Sequence, residues 1–321
     1  MPAFKGVRDL SSVPSAPPRL SDYPGEPRAG VSAGGLRLRG VDAKTGAVST
    51  LVSVVTVLRN SAPTFTRTFR SVCSQDHPGL EYVVVDGGST DGTLGILQDS
   101  QDRIGLWISE ADQGISDAFN KGIALSRGEI VGLINGDDWY EPGAVRAIVA
   151  EMQRTGADIA CGRLQYWEGD NKTYLVESDP AQLDRGMTVG HPTVFVRREC
   201  YEKYGLYRLD FRLAMDYEWL LRAKAASARF VIIDRCLANM QGGGVGDRRW
   251  RDSQREVAKA RSLHVEGADN AFAYHAYVAR RLFIGSVRRL LDASGLGILR
   301  RMYHRWLSPV KITANRDDDG H

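Results

Sequence analysis

Residues 51–58 read Leu-Val-Ser-Val-Val-Thr-Val-Leu, a run dominated by β-branched side chains. A run of this length and composition is typical of a strand that is buried on both faces. Similar apolar runs follow at 81–85, 105–108 and 130–134. The intervening sequence predicts helices over 62–73 and 115–126, so strands and helices alternate at the spacing of βαβ units. We therefore predict an α/β fold in which helices flank a mostly parallel sheet.

The regions outside this pattern differ from it in composition. The chain has 321 residues, enough for one large α/β domain with an appendage. Residues 1–48 hold half of the prolines and little apolar periodicity, so we expect them to be disordered or extended. Within them, 35–40 alternates apolar and basic residues, which predicts a short strand. We expect the globular domain to occupy 49–235, followed by a loop and helices over 236–321.

Composition excludes several classes of protein. The 42 basic and 39 acidic side chains leave a net charge of only +3, which argues against a chain built to coat nucleic acid. The four cysteines lie far apart, so neither a zinc ribbon nor a thioredoxin-like site is expected. No apolar run approaches the roughly 20 residues of a membrane-spanning helix, and the first residues lack a signal-peptide pattern. We expect a cytoplasmic protein with reduced cysteines.

Polar segments follow the second and third strands. Residues 86–93 read Asp-Gly-Gly-Ser-Thr-Asp-Gly-Thr, and the glycines do not follow the G-x-G-x-x-G spacing of dinucleotide-binding folds. Asp86 stands at a strand end, where it could accept a hydrogen bond from a nucleobase or a ribose, or simply help to cap the turn. In the next segment, 109–122, Asp112 and Asp117 are equally compatible with structural and functional roles.

The segment after the fourth strand carries adjacent acids. Residues 135–140 read Asn-Gly-Asp-Asp-Trp-Tyr. Two neighbouring carboxylates repel each other unless a cation or a network of donors neutralises them. Oxygen ligands on a loop suit Mg²⁺ or Mn²⁺, which proteins often hold through one or two carboxylates together with substrate phosphates. Asp137 and Asp138 therefore predict a divalent metal site.

In order and spacing, these segments resemble glycosyltransferase family 2, the inverting GT-A glycosyltransferases that use nucleoside-diphospho-sugar donors. The matching marks are Arg59-Asn60, 86–93, 112–122 and 135–138. The resemblance continues less tightly through 191–195 and 214–222. It implies that 49–235 is a GT-A (Rossmann-like) catalytic domain with a helical region after it.

The resemblance assigns roles to the acids of the first half. Asp86 and Asp112 fall at positions that lie in the family's nucleotide pocket. The family's D-x-D motif, which holds the metal that bridges the two donor phosphates, falls on 135–137. Because an asparagine replaces its first acid, we assign Asp137 and Asp138 together and leave open which of them binds Mn²⁺ or Mg²⁺ directly.

The resemblance also implies a catalytic base. In the family this base is an acid near the start of a late helix, and the matching position is Asp216. An acid there is also favoured by the helix dipole, without any catalytic role. His191 and Trp139 are candidates for the rim of the active site or for acceptor contacts, although a purely structural histidine is a comparable interpretation.

Two basic segments lie beyond residue 240. The glycine-rich stretch 241–249 is interpreted as a loop that closes over the diphosphate through Arg248 and Arg249, or alternatively as a flexible linker. Residues 271–316 interleave basic and apolar side chains, as in an amphipathic helix at an anionic membrane surface. A helix that docks on the catalytic domain explains the same pattern.

The resulting hypothesis is a metal-dependent inverting glycosyltransferase. It moves a sugar from a nucleoside-diphosphate donor to a hydroxyl of a saccharide or glycolipid, in cell-envelope polysaccharide or glycolipid synthesis. A UDP-sugar is the default donor, with GDP- and dTDP-sugars open, and nucleic acid is not an expected partner. The alternatives are a nucleotidyltransferase and a catalytically silent protein that binds sugar nucleotides or glycans. The lipid-linked acceptor would place the protein peripherally on the inner face of the membrane.

Overall fold

The computed structural model describes residues 16–41, 50–267, 279 and 312–313. Its strands are β1 (Ser32–Gly34), β2 (Val52–Leu58), β3 (Leu80–Asp86), β4 (Leu106–Ser109), β5 (Ile130–Asn135), β6 (Trp139–Tyr140), β7 (Ile159–Glu168), β8 (Asn171–Val176), β9 (Phe195–Arg197), β10 (Phe230–Gln241) and β11 (Ile312–Thr313). Its α-helices are α1 (Phe65–Cys73), α2 (Thr93–Ser100), α3 (Ile115–Leu125), α4 (Ala144–Thr155), α5 (Arg198–Tyr204), α6 (Met215–Ala225), α7 (Val245–Arg248) and α8 (Trp250–His264).

The described strands form one mixed sheet. Their order is β1-β4-β3-β2-β5-β9-β7-β10-β6, with β8 against β7 and β11 against β8. The central strands β4, β3, β2 and β5 are parallel, as are β7 and β10. The antiparallel β9 joins these two groups. The predicted α/β fold, with a mostly parallel central sheet flanked by helices, is confirmed.

Both faces of the central strands are covered, as their β-branched composition predicts. Every residue of β2 is buried. Val55 and Val57 pack with α3 and α6 on one face. Val52 and Val54 point to the other face and pack with α1, α2 and α4. Successive side chains of a strand point to opposite faces, so one apolar run supplies both layers of the core.

The N-terminal segment differs from the sequence expectation. The strand predicted over 35–40 is wrong: β1 lies just before it, and residues 37–39 form a short 3-10 helix. Gly35 has a φ of 111°, which ends the extended backbone. Arg37 then turns inward, where its guanidinium donates to the Leu125 carbonyl at 2.9 Å and pairs with buried Glu81. This part of the segment is therefore fastened to the domain by a buried ion pair.

The second half of the chain adds two observations. β10 continues through residue 235, where we placed the end of the catalytic domain, so the division into domains stays a prediction. Of the basic segment 271–316, only 279 and 312–313 lie within the described residues, and the amphipathic helix predicted there falls outside them. No helix among the described residues is both long and apolar enough to cross a membrane.

Candidate active site

Strand register brings the predicted acids to one edge of the sheet. Leu58 at the end of β2 pairs with Asp86 on one side, and Val57 pairs with Asn135 on the other. Asp112 approaches the same edge so closely that a Cβ on Gly87 would clash with its Oδ2. The carboxyl ends of parallel strands are where ligands bind in open α/β sheets.

Asp86 is fully buried and organises the turn that follows β3. Its Oδ2 accepts from the Ser89 amide at 3.0 Å and from the Ser109 hydroxyl at 2.6 Å, and its Oδ1 accepts from the Ser89 hydroxyl. The capping interpretation of this residue is therefore part of its role. A nucleobase would have to replace one serine hydroxyl to reach the carboxylate, and the nucleotide contact stays a prediction.

Asp112 lies beside Arg59, in a turn that Lys121 also contacts through the Ala111 carbonyl. Its side chain is only 5% exposed. Its Oδ1 accepts from the Gly114 amide at 2.8 Å, while Arg59 Nη1 lies 3.9 Å from the same oxygen. Arg59 is largely exposed, so its guanidinium is available to a ligand that binds beside Asp112.

Asp137 and Asp138 form a strained pair at the end of β5. Asp138 is 1% exposed, and it accepts from the Gln241 amide at 3.1 Å and from Asn135 Nδ2 at 3.3 Å. Burial, followed by the charge of Asp137, raises the pKa of Asp138 well above its usual range. Burial also raises the pKa of Asp137, against the lowering effect of a backbone hydrogen bond and of Arg67. A bound cation would relieve this repulsion.

The oxygen set at this turn fits a hard divalent ion. Asn135 Oδ1 is buried without a hydrogen-bond partner in the described residues, on a side chain whose Nδ2 donates to Asp138 at 3.3 Å. Amide and carboxylate oxygens are the ligands that Mg²⁺ and Mn²⁺ prefer. No group of three or more His, Cys, Asp or Glu side chains that could hold a metal occurs within the described residues. An ion here would therefore depend on ligand oxygens as well as on the protein.

Arg67 on α1 is a site residue that the sequence analysis missed. Its Nη2 donates to the Asp137 carbonyl at 3.1 Å and to Gln241 Oε1 at 3.2 Å. Its guanidinium stacks over the Trp139 ring, 3.6 Å from the centroid. Burial lowers the pKa of Arg67, whereas the charges of Asp138 and Asp137 raise it. No local pattern marks this residue, because α1 is 70 residues away from Asp137 along the chain.

Trp139 lies between two partners at the edge of this cleft. Arg67 covers it on one side, and Trp167 packs against it with ring centroids 5.3 Å apart. Trp167 is itself fixed, because its Nε1 donates to Asn239 Oδ1 at 2.7 Å. Trp139 is therefore held by its neighbours, and its contact with an acceptor stays a prediction.

Asp216 lies in the first turn of α6, as the sequence analysis expected for the base. It is partly exposed, and its Oδ1 accepts from the Tyr217 amide at 2.8 Å. The charge of Asp216 also acts on Tyr166 of β7. Burial raises the pKa of Tyr166, and the charges of Tyr174, Asp138, Asp247 and Asp216 raise it further. The charges of Asp138 after β5, Asp216 on α6 and Asp247 on α7 thus act on one phenol, although the three acids are far apart in sequence.

His191 lies in a short 3-10 helix beside Asp216. Its ring packs against Phe119, with centroids 5.5 Å apart. Burial lowers the pKa of His191, and the charge of Asp216 partly opposes that shift. The imidazole is therefore neutral at neutral pH.

The comparison with known families decides the classification. Residues 53–220, more than half of the chain, match the family model described as Glycosyl transferase family 2. The chain belongs to glycosyltransferase family 2. The resemblance seen in the motifs is thereby confirmed, and so is the GT-A fold.

Three relatives illustrate this membership. An uncharacterized glycosyltransferase of Mycobacterium tuberculosis is 31% identical over 210 residues, which cover 62% of this chain and 78% of the relative. The succinoglycan biosynthesis protein ExoU of Rhizobium meliloti is 27% identical over 214 residues, covering 60% and 62% of the two chains. A PGL/p-HBAD biosynthesis glycosyltransferase of Mycobacterium bovis is 27% identical over 177 residues, covering 54% and 69%.

Solved structures agree in fold. TarS of S. aureus, in complex with UDP-GlcNAc, has a TM-score of 0.54 at 17% identity and covers 70% of this chain and 69% of its own. The mannosyltransferase PcManGT of Pyrobaculum calidifontis, in complex with GDP-Man and Mn²⁺, has a TM-score of 0.56 at 17% identity. It covers 82% of this chain and 86% of its own.

In this family 2 chain, the predicted lid residues face their own segment. Arg248 Nε donates to the Gly243 carbonyl at 3.0 Å. Arg249 pairs with Asp252 at 3.0 Å. The exposed Val245 opens the short helix α7 that carries Arg248. A closing movement would have to exchange these contacts for a diphosphate, and the lid stays a prediction.

Proposed function

We propose that this family 2 glycosyltransferase is a metal-dependent inverting enzyme that transfers a sugar from a nucleoside diphosphate to a hydroxyl group. The observation that supports it best is the turn after β5, where the buried Asp138 and the part-buried Asp137 follow Asn135, whose Oδ1 has no hydrogen-bond partner among the described residues. Holding two acids with raised pKa values costs stability unless a ligand repays it. A metal bound to a diphosphate is a ligand of that kind.

The donor side of the mechanism uses the carboxyl ends of the strands. Asp137, Asp138 and Asn135 would hold the ion, which offsets the charge that develops on the departing diphosphate. Asp86 and Asp112 would contact the nucleotide. Arg59, which lies beside Asp112, would contact the same nucleotide, and Arg248 and Arg249 would cover the phosphates when the loop closes.

The acceptor side uses Asp216. Its carboxylate would accept the proton of the acceptor hydroxyl while that oxygen attacks the anomeric carbon. The new carbon–oxygen bond forms on the face opposite the leaving group, and the bond to the diphosphate oxygen breaks with its electron pair. The anomeric configuration is therefore inverted, without a covalent enzyme intermediate. His191, neutral and next to Asp216, would border the acceptor at the rim.

For the donor and the acceptor we propose only a chemical class. A UDP-sugar is our first choice, because TarS is in complex with UDP-GlcNAc, and a GDP-sugar is the second, because PcManGT is in complex with GDP-Man. A dTDP-sugar is the third. We place the acceptor among saccharides and lipid-linked saccharides of the cell envelope, since relatives include a succinoglycan biosynthesis protein and a PGL/p-HBAD biosynthesis glycosyltransferase. Peripheral membrane contact through 271–316 is part of this proposal, and flotation with anionic liposomes tests it.

A thermal-shift panel tests the donor site. Wild type and the Asp137→Asn/Asp138→Asn variant are melted with UDP, GDP, dTDP or CDP, each with and without Mn²⁺. A ligand that binds only the folded state raises the melting temperature by mass action. We expect one nucleotide to stabilise the wild type only with Mn²⁺, and to leave the variant unchanged. Melting-temperature shifts that are the same with and without Mn²⁺, and the same in the wild type and the variant, would contradict the metal-dependent reaction.

Product stereochemistry tests the reaction. With the donor found in the panel and a simple hydroxyl acceptor, the anomeric proton coupling of the product is measured by NMR. We expect the configuration opposite to that of the donor. Nucleotide binding without turnover on any acceptor or water would instead favour the catalytically silent binding protein.

A further inference from the structure

The segment that leads into Asp216 is held from two sides. On one side, the segment is hydrogen-bonded to α3. Asn120 exchanges hydrogen bonds with the Tyr207 backbone at 2.8 and 2.9 Å, and the Ser116 hydroxyl donates to the Phe211 carbonyl at 2.7 Å. These contacts fix the beginning of the segment. The three residues just before α6 have no such support from α3 among the described contacts.

Glu256 on α8 supplies that support from the other side. Its Oε2 accepts from the backbone amides of Arg212 at 2.9 Å, Leu213 at 2.8 Å and Ala214 at 2.9 Å. Its Oε1 also accepts from the Arg212 amide, at 3.1 Å. Successive amides that converge on one carboxylate form charge-assisted bonds, which are stronger than those between neutral groups.

The start of α6 lacks a cap of its own. The residue at its N-cap is Ala214, whose methyl group accepts no hydrogen bond. Asp216, two residues later, bonds to the Tyr217 amide next to it rather than to the segment before the helix. The carboxylate of Glu256 is thus the side-chain acceptor that fixes how the backbone enters α6.

We propose that Glu256 is a positioning residue that sets the direction of the Asp216 carboxylate toward the acceptor hydroxyl. The inference rests on the proposed role of Asp216 as the base. The family match ends at residue 220, so Glu256 lies outside it. α8 begins directly after Arg249, so the same helix connects the predicted lid with the segment before Asp216.

The test compares three variants of the full chain. Glu256→Ala removes the acceptor, and Glu256→Gln keeps the shape and one oxygen but removes the charge. Lys259→Met is the matched control, because Lys259 lies on the same face of α8 and bonds to Asp210 Oδ2 at 2.6 Å without touching the three amides. Each variant is measured for hydrogen exchange at 212–214, for nucleotide affinity with Mn²⁺, and for transfer kcat.

We expect Glu256→Ala to lose exchange protection at 212–214 and to lower kcat about 100-fold, because an ångström of misplacement has an effect of that order. Glu256→Gln should fall between this variant and the wild type, and Lys259→Met should keep both protection and kcat. Nucleotide affinity should stay at the wild-type value in all three. A structural role alone would lower the melting temperature of Glu256→Gln without this selective loss of kcat.

Three outcomes distinguish failure of the positioning role, of the Glu256 hydrogen bonds and of the proposed function. If the wild type transfers sugar and Glu256→Ala keeps its kcat despite losing protection, the positioning role is overturned while the proposed function stands. If exchange protection at 212–214 persists in Glu256→Ala and Glu256→Gln, Glu256 does not hold this backbone segment, and the proposal is overturned. Lack of transfer by the wild type contradicts the proposed function. The exchange measurement still shows whether Glu256 holds the backbone at 212–214.

Discussion

The two halves of the candidate site are built by different kinds of contact. In the N-terminal half, residues 51–140, Asp86, Asp112 and Asp138 each accept a hydrogen bond from a residue two or three positions away, as Asp86 does from Ser89. Asp138 accepts in addition from the distant Gln241 amide. In the C-terminal half, residues 191–264, Asp216 follows a segment held by Glu256, 42 to 44 residues away. A site held by local contacts leaves a motif in the sequence, and a site held by distant contacts does not.

The largest expected effect comes from the C-terminal half. Asp216→Asn should lower transfer turnover by roughly 10²- to 10⁴-fold, because it removes the proposed proton acceptor. Nucleotide affinity should be unchanged. Steady-state kinetics with saturating donor measure the loss. Asp184→Asn is the control, since this acid also packs near α6 but pairs with Lys224 at 3.1 Å. Equal turnover in both variants would place the base elsewhere.

The next effect concerns a long-range contact of the N-terminal segment. Arg37 and Arg39 lie in the same 3-10 helix, but Arg37 pairs with buried Glu81 whereas Arg39 pairs with exposed Asp102. Arg37→Met should cost about 3–5 kcal/mol of unfolding free energy, because it leaves a buried carboxylate unpaired. Arg39→Met should cost less than about 1 kcal/mol. Urea unfolding measures both, and similar losses would show that the segment is not fastened as described.

A smaller effect, a gain in stability rather than a loss, is expected at the turn that carries Asp137 and Asp138. The folded state raises the pKa of Asp138, so it binds this proton more tightly than the unfolded chain, and stability falls as pH rises through that range. Asp138→Asn mimics the protonated form. It should raise the metal-free melting temperature by about 2–5 °C at neutral pH. The gain should vanish below about pH 4, where both states are protonated.

Asp91 provides the matched control for that measurement. The Thr93 hydroxyl and nearby backbone amides lower the pKa of this exposed acid. Its contribution to stability is therefore present above the usual carboxyl range and is lost as pH falls. Asp91→Asn should not stabilise the protein at any pH. If Asp138→Asn also fails to stabilise, the pair at the end of β5 is not strained.

The comparison also explains how far the sequence could be interpreted. The buried run of β2 and the turns at 86–93 and 135–138 predicted the sheet, its ligand-binding edge and the acids along that edge, because each rests on local periodicity or strand-end position. Asp117 could not be settled locally: it is buried and accepts from the Tyr23 hydroxyl at 2.9 Å, 94 residues away.

The sequence analysis missed several site residues for one physical reason. Arg67 meets Gln241 across 174 residues, and Glu256 reaches Leu213 across 43. Tyr166 is placed by the pairing of β7 with β10, in which it lies opposite Met240, 74 residues later in the chain. Such contacts exist only after the sheet has formed, so neither periodicity nor a short motif reports them.

Calorimetric titration of UDP and of GDP, each with Mn²⁺, into three proteins tests the central claim most directly. The proteins are the wild type, Asp137→Asn and Asp216→Asn, and transfer turnover is measured on the same preparations. The two halves are expected to separate: Asp137→Asn loses nucleotide affinity, whereas Asp216→Asn binds like the wild type and does not turn over. Loss of affinity in Asp216→Asn, or full affinity in Asp137→Asn, would contradict the division of the site into a donor-binding edge and a distant base.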